Sequence, residues 1–548
     1  MNLCFARAIG LGLVATSLLA AGDRDGISHG PFVGHTTIQS ASVWARCESA
    51  GEHALVAVDS VTGSVHRATA IADPENDLCV VFRLDSLAIG RLYSYRIELP
   101  TAGTFAGDDL RFSTFSPSIE PSIARIVFGS CARADKSTAT TWARIRERSP
   151  DAVVLLGDTP YIDSTSVDVL RKKHRAFAAF EPMAMVLRST PFYSVWDDHD
   201  FGKNDVDGNL PGKENSRRVF REYRANASCG DGKVGVYSKF SIGAVEVFLI
   251  DTRYFAATEP SPVDPSKPSL LGKTQWEWLQ RELVASTAKF KVLASGMIWN
   301  ASTRPNKKDQ WENYAHERDA LFRFIGEKKI TGVVLMGGDV HRSRALIHPI
   351  EDLAGHRILE LTTSPMHGSV IVAANAPHPA LLHDAGVPNA FLELDVDTRH
   401  RPARLVARVL DASGREHFAV CVEETGVVKN LRPRADLPPL LEFANGRRVT
   451  IEDWNQRRAE IRRLLETHFV GTWPSETPAL LSWKILEEKR ADDGSTRRRV
   501  ELTFDTPNKR SFEVRVWIPP GDGPHPLLLT QPRYYQIAWA ELALSRGY

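Results

Sequence analysis

The chain has 548 residues, 43% of them hydrophobic and 25% charged, with a formal net charge of +1 at pH 7. This is the balance of a folded globular protein, and the length exceeds one ordinary core, so three or four domains are expected. The absence of a basic surplus excludes whole-surface attraction to nucleic acid or to an anionic membrane, so an anionic substrate must be recognised locally.

Residues 1–22 read as an export signal. Arg7 supplies positive charge, residues 8–20 are almost wholly apolar, and Ala20-Ala21-Gly22 offers small residues for cleavage. The run is too short for an ordinary membrane-spanning helix. A cleaved signal is therefore expected rather than a short anchor, with the mature chain periplasmic or extracellular and without a stable membrane span. A single arginine precedes the run, so a twin-arginine route is not supported. Of the six cysteines, Cys47 and Cys79 fall in one β-rich stretch and could pair in an oxidising compartment. Cys229 and Cys421 read as structural.

Residues 23–116 read as short strands. Segments 41–46, 54–58 and 91–99 are strand-like, with Gly, Asp, Asn and Pro between them. An immunoglobulin-like β-sandwich is predicted. Over 117–422 the texture changes. Strands are predicted at 124–129, 152–156, 192–196, 245–250, 291–297 and 332–336, and helices at 140–149, 167–180, 274–285 and 317–326. This alternation predicts an α/β domain, closed by β-like sequence over 394–410. Residues 423–548 read as a linker and a further unit. It opens with an amphipathic helix over 450–469, capped by Thr450 with Asp453 reaching back. Strands follow at 501–504, 511–518 and 526–530. The sequence stops where another strand is expected, which reads as an incomplete domain.

Chemistry concentrates where the strands of the α/β region end. Ligands collect outside the carboxyl ends of strands in open α/β sheets. Asp158 and Tyr161 follow the run 153–156, and Gly157 permits a tight turn before them. A carboxylate on such a turn can bridge two cations about 3.5–4 Å apart. Asp339 and His341 stand two apart after another buried-type run, a spacing that turns both to one side of an extended segment. Asp197, Asp198, His199 and Asp200 crowd behind Trp196, and three carboxylates so close need compensating charge. Asn204 beyond them offers a neutral oxygen suited to a hard cation such as calcium. Cys131 ends the first strand, where a thiolate could bind a transition metal. Arg133, Arg253, Arg342 and Arg344 lie near these motifs, and one or more could grip phosphate oxygens. Each motif alone has a bland structural reading; together they point to a metal site.

The set FGSC, GDTPY, WDDHDxxxN, DTR and GGDVH, in this order, resembles the alkaline phosphatase D (PhoD-like) family of metallophosphatases. The resemblance spans roughly residues 30–421. It implies a four-layer α/β/β/α metallophosphoesterase fold and an iron(III) and calcium site, ahead of zinc or manganese. Carried over by motif, Cys131, Asp158, Tyr161, Asp339 and His341 would hold iron. Asp158 would bridge to calcium, with Asp197 and Asn204 as its other ligands. Asp198, His199 and Asp200 become outer or proton-transfer candidates, and Arg253 a phosphate-side candidate. The implied catalytic set is Asp158, Asp197, Asp198, His199 and Arg253, acting on a small or polymeric phosphate ester, monoester or diester.

The segments Thr450–Trp454, Arg457–Ile461 and Gly471-Thr472-Trp473-Pro474 resemble the start of acetylxylan or glucuronoyl esterase-like α/β-hydrolases. Such enzymes need a serine on a strand-to-helix elbow, and no G-x-S-x-G occurs in this portion. The competing readings are a polysaccharide-associated binding protein and an ester hydrolase whose catalytic half lies elsewhere.

Overall fold

The computed structural model describes residues 26–101, 103–117, 122–300, 303–304, 307–426, 428–430, 449–450, 452–465, 478–491, 494–506 and 509–521. The predicted signal, the 471–474 motif and the strand at 526–530 lie outside these residues. Two compact units divide at residues 432 and 433.

The first unit begins with two small antiparallel sheets. Ile27–Thr36, Ala41–Cys47 and Cys79–Leu84 form one; Gly51–Asp59, Val65–Ala72, Leu92–Glu98 and two short strands form the other. Val33, Val43 and Phe82 from the first sheet meet Leu55, Tyr93 and Ile97 from the second in a single apolar core. Cys47 and Cys79 do not pair; both are free thiols. Arg46 is the partner of Cys79 in the ladder, so Cys47 is one residue out of register with it. Side chains one residue apart on a strand face opposite sides. Cys47 accordingly packs between the two small sheets, and Cys79 packs on the other face against the helical layer.

Two seven-stranded mixed sheets follow. In the first, Phe192–Val195, Ala152–Leu156 and Ile123–Gly129 run parallel, and Ala390–Asp397 continues it antiparallel. In the second, Val245–Leu249, Phe290–Ala294, Val333–Gly337 and Ile358–Thr362 are all parallel. These strands are buried on both faces, as parallel strands must be, which explains runs such as Ala-Val-Val-Leu-Leu. Alternation then sorts the side chains. Val154 and Leu156 enter the core between the sheets with Val247, Val292 and Val334. Val153 and Leu155 face outward to Trp142 and Ile145 of helix Lys136–Arg148 and Leu170 of helix Val167–Ala178. On the second sheet Leu293 and Leu335 meet Trp276 and Leu279 of helix Gly272–Ala285 and Leu321 and Phe322 of helix Ala315–Glu327. Each such buried side chain contributes about 1.5–3 kcal/mol relative to exposure. The consequence for function is geometric: parallel strands of both sheets deliver their carboxyl ends to one rim.

The second unit holds helix Trp454–Leu465 and the antiparallel strands Leu480–Arg490, Thr496–Phe504 and Ser511–Ile518. The helix starts four residues later than predicted, and 466–469 lie outside the described residues. The carboxylate of Asp453 does reach back, accepting from the Thr450 backbone N–H at 3.2 Å and its hydroxyl at 3.1 Å. Among the described residues no helix is long and apolar enough to cross a membrane.

Candidate metal centre

Six parallel strands end around one cluster. Ile123–Gly129 leads to Cys131, Ala152–Leu156 to Asp158, Phe192–Val195 to Asp197, Val245–Leu249 to Asp251, Val333–Gly337 to Asp339, and Ile358–Thr362 to Ser364 and His367. The backbone bends sharply at these exits. Cys131, Asp158, Asp339 and His341 all take positive φ, at 54°, 54°, 66° and 48°. Left-handed backbone is uncommon outside glycine and is retained where surroundings impose it, often at functional sites.

Two glycines let the chain close in on Asp197. A Cβ on Gly157 would lie 2.3 Å from the Asp197 Cβ, and one on Gly296 would lie 2.3 Å from its Cγ. Gly157 also has a φ of +85°. Gly157→Val is therefore expected to destabilise the fold by about 3 kcal/mol or more, read as a lower urea midpoint at unchanged slope.

The donor atoms assemble in overlapping groups. Ligand atoms of Cys131, Asp158 and His341 lie within 4.8 Å of one another, as do those of Asp158, Asp198 and His199, and those of Asp197, Asp198 and Asp339. The Cys131 Sγ is 3.5 Å from Asp158 Oδ2. The Tyr161 hydroxyl is 2.9 Å from His341 Nε2 and 3.2 Å from His367 Nε2. His199 Nδ1 is 2.6 Å from Asp163 Oδ1, an arrangement that fixes its ring orientation. Asp198 accepts from the backbone N–H of His199 at 2.8 Å and of Asp205 at 2.7 Å.

The electrostatics of this cluster are unbalanced. Burial pushes the Asp158 carboxyl well above the usual carboxylate range, and the charges of Asp198, Asp197 and Asp339 push it further. Burial likewise raises Asp197, against the pull of Arg253, and lifts Asp339 to about 6, against the pull of Lys307. Asp198 is the exception: burial opposes its charge, but Arg253 holds it below the usual range. Burial, then the neighbouring His367 and Arg133, lowers His341 to about 3, so its imidazole is neutral and able to ligate. Cys131 is raised well above the usual thiol range, first by burial and then by the Asp158 charge.

Residues 126–381 match the family model described as PhoD-like phosphatase. This segment is a PhoD-like phosphatase domain. The chain is similar to alkaline phosphatase D of Bacillus subtilis (strain 168), 25% identical over 330 residues, covering 51% of this chain and 56% of that protein. The match thus spans little more than half the length of that relative. In fold the chain is similar to a solved structure of PhoD, at 17% identity and a TM-score of 0.62, covering 81% of this chain and 99% of that one. It is also similar to the purple acid phosphatase PPD1 of yellow lupin (Lupinus luteus), at 11% identity and a TM-score of 0.53, covering 73% of this chain and 74% of that one.

A PhoD-like domain implies bound metal ions, and the residues present suit them. Among the described residues, Asp158 Oδ1 and Asp197 Oδ2 are buried and have no hydrogen-bond partner. An unpaired buried carboxylate oxygen is costly unless a cation meets it. The cluster also offers sulfur, imidazole, phenol and carboxylate donors side by side, a donor set able to hold metal ions.

Not every predicted residue faces this PhoD-like cluster in the same way. Asn204 and Asp205 are both exposed on the turn beyond helix Asp198–Phe201, and Asp205 joins the acids. Arg253 is not free to grip phosphate. It is fully buried, its Nε 2.6 Å and its Nη2 2.5 Å from Asp197 Oδ1, with Nη2 also 2.6 Å from Asp309 Oδ2. Arg342 pairs with Asp384, and Arg344 donates to the Ala376 carbonyl. Arg133 is exposed at the rim, its guanidinium 4.9 Å from the centre of the Tyr161 ring. Asp200 is a brace: its carboxylate accepts the backbone N–H of Asp197 at 2.6 Å and of Asp158 at 3.2 Å. Asp251 is another, accepting from Trp196 Nε1 at 2.7 Å and from three backbone N–H groups.

Sequence reasoning missed His367, Asp309 and Lys307. His367 had a usable signal, because it follows the buried run 358–362 by the same strand-then-ligand rule. Asp309 and Lys307 lie on a loop with no periodic pattern to mark them.

Proposed function

We propose that this chain is an exported, metal-dependent phosphoric ester hydrolase acting on phosphomonoesters or phosphodiesters. The observation that carries this reading is the pair of partnerless oxygens on Asp158 and Asp197, buried where the ligand groups overlap. Cys131, Asp158, Tyr161 and His341 would hold iron(III), while Asp339, which the motif assigns to iron, groups instead with Asp197 and Asp198. Asp158, Asp197, Asp198 and Asp339 would hold calcium, with Asn204 on the adjoining turn as a further oxygen ligand. Bound there, the cations would lower the pKa of a water and neutralise charge building on the phosphoryl group. The chain's own contribution is positioning. Arg133, stacked on Tyr161, is the exposed base able to hold phosphate oxygens. His199, oriented by Asp163, is the rim group suited to pass a proton to the leaving oxygen. Arg253, Asp200 and Asp251 hold the strand ends from behind.

In the same reading the two large sheets and their outer helices make a four-layer α/β/β/α phosphoesterase domain over 117–422. The small sheets make an immunoglobulin-like domain over 23–116. Residues 423–548 are a linker and an esterase-like segment.

Protein purified without added metal is expected to carry iron near about one equivalent together with calcium, and to release nitrophenol from p-nitrophenyl phosphate or its diester. Zinc alone would overturn the iron assignment, and no release from either ester would overturn the function. Arg133→Ala is expected to raise KM about tenfold while kcat changes no more than about threefold, as loss of ground-state phosphate binding predicts.

A further inference from the structure

A fourth group of acids lies beside the cluster. Oxygens of Asp198, Asp205 and Asp309 come within 4.8 Å of one another, close enough to share one cation. The group is already occupied from within the chain. The Lys307 ammonium is 3.3 Å from Asp205 Oδ1 and 2.8 Å from Asp339 Oδ2, and it also donates to Asp309. Its side chain is only 3% exposed. An ammonium has three N–H donors and no acceptor, and here three carboxylates surround it.

We propose that Lys307 is a built-in cation that closes this fourth group to metal and fixes Asp339 for ligation, an inference resting on the metal-site reading above. Arg253 treats Asp197 in the same manner. The two bases are joined through Asp309, which contacts both. A continuous chain of opposite charges therefore runs from Asp339 through Lys307, Asp309 and Arg253 to Asp197. Each of these two acids is backed by a buried base on one side and turned to the cluster on the other. Removing one partner of such a buried pair leaves an uncompensated charge. Taking away Lys307 leaves three carboxylates facing one small space, and a divalent cation is what they would then recruit. The fixed ammonium thereby sets how many ions the site holds, and Lys307 acts as a positioning residue rather than a catalytic one.

The test is calcium stoichiometry on the full chain, loaded with excess calcium chloride, desalted and assayed by elemental analysis. Lys307→Met is expected to bind about one more calcium per chain than wild type, and Lys307→Arg to restore the wild-type count. In Lys307→Met/Asp205→Asn the gain should disappear. A folded Lys307→Met with the wild-type count overturns the inference. So does a wild-type protein that already binds the extra ion, a measurement that needs no variant to fold. Wild type that binds no metal at all fails the metal-site reading itself, a different result from either.

Discussion

Asp158→Asn is expected to lower kcat/KM for an aryl phosphate at least about a thousandfold while raising the thermal midpoint of the metal-free protein. The two effects have one cause. Asp158 is buried, with one oxygen near the Cys131 sulfur and the other without a partner. Its charge is opposed by burial and by four neighbouring acids. A bound cation would relieve that charge, and an amide removes both an oxygen of the proposed metal site and the repulsion. Loss of one preorganised electrostatic group at a transition state costs roughly a hundredfold to a thousandfold, and a shared ligand belongs at the upper end or beyond. A neutral amide of the same shape relieves like-charge crowding in the empty site, so unfolding should move to higher temperature. Asp200→Asn provides the contrast. Asp200 ties the Asp197 and Asp158 backbones together, so its amide should lower the midpoint. An Asp158→Asn enzyme that keeps activity within tenfold of wild type would remove Asp158 from the reaction.

The strand ends were legible because two independent signals coincide there. An all-apolar run of five residues can only be a doubly buried strand or a helix segment, and a glycine followed by an acid fixes where it stops. Asp158 and Asp339 are such cases, and the structure brings them together. The direction of a side chain is a different matter, because a ladder partner decides it. Cys47 and Cys79 share a region but face opposite sides of one sheet, which spacing in sequence does not disclose. Arg253 follows a strand end like the ligands do, yet it turns inward to Asp197 and Asp309 because those buried acids need a counter-charge. The strand Leu480–Arg490 was missed for a further reason. Its first half does alternate, with Leu481, Trp483 and Ile485 between Ser482 and Lys484, but it is exposed along most of its length and its second half, Glu487 to Arg490, is wholly charged, so the pattern is short. Lys307 and Asp309 needed the three-dimensional cluster to acquire meaning.

Stripping the metals should make stability fall as pH rises between about 6.5 and 8, and reloading them should make that slope shallower. Asp158 and Asp197 have carboxyls raised well above the ordinary 3.8, and Asp200 is raised to about 7. Between the ordinary and the raised value, the folded state holds protons that the unfolded state has released. Unfolding free energy then decreases with pH, by about 1.4 kcal/mol per pH unit for each such proton. The contribution is complete below about pH 4 and is lost as pH passes through the raised values. Histidines work the other way at lower pH. His35 and His367 are lowered to about 4 and His341 to about 3 from an ordinary 6.5, so they add stability as pH rises toward 6.5 and nothing above it. Asp77 and Asp397, held near 2 in the folded protein, exert their effect only below about pH 4. Above pH 6.5 the raised carboxyls are therefore left to set the sign. Bound cations keep Asp158 and Asp197 deprotonated in the folded state and remove their excess protons, leaving only the share of the braced Asp200. Thermal melts of chelated and reloaded protein at half-unit steps from pH 6.5 to 8 read this directly. A flat or rising midpoint in the chelated protein would mean that these acids are not crowded without metal, and the same melts on Asp158→Asn should show a shallower fall.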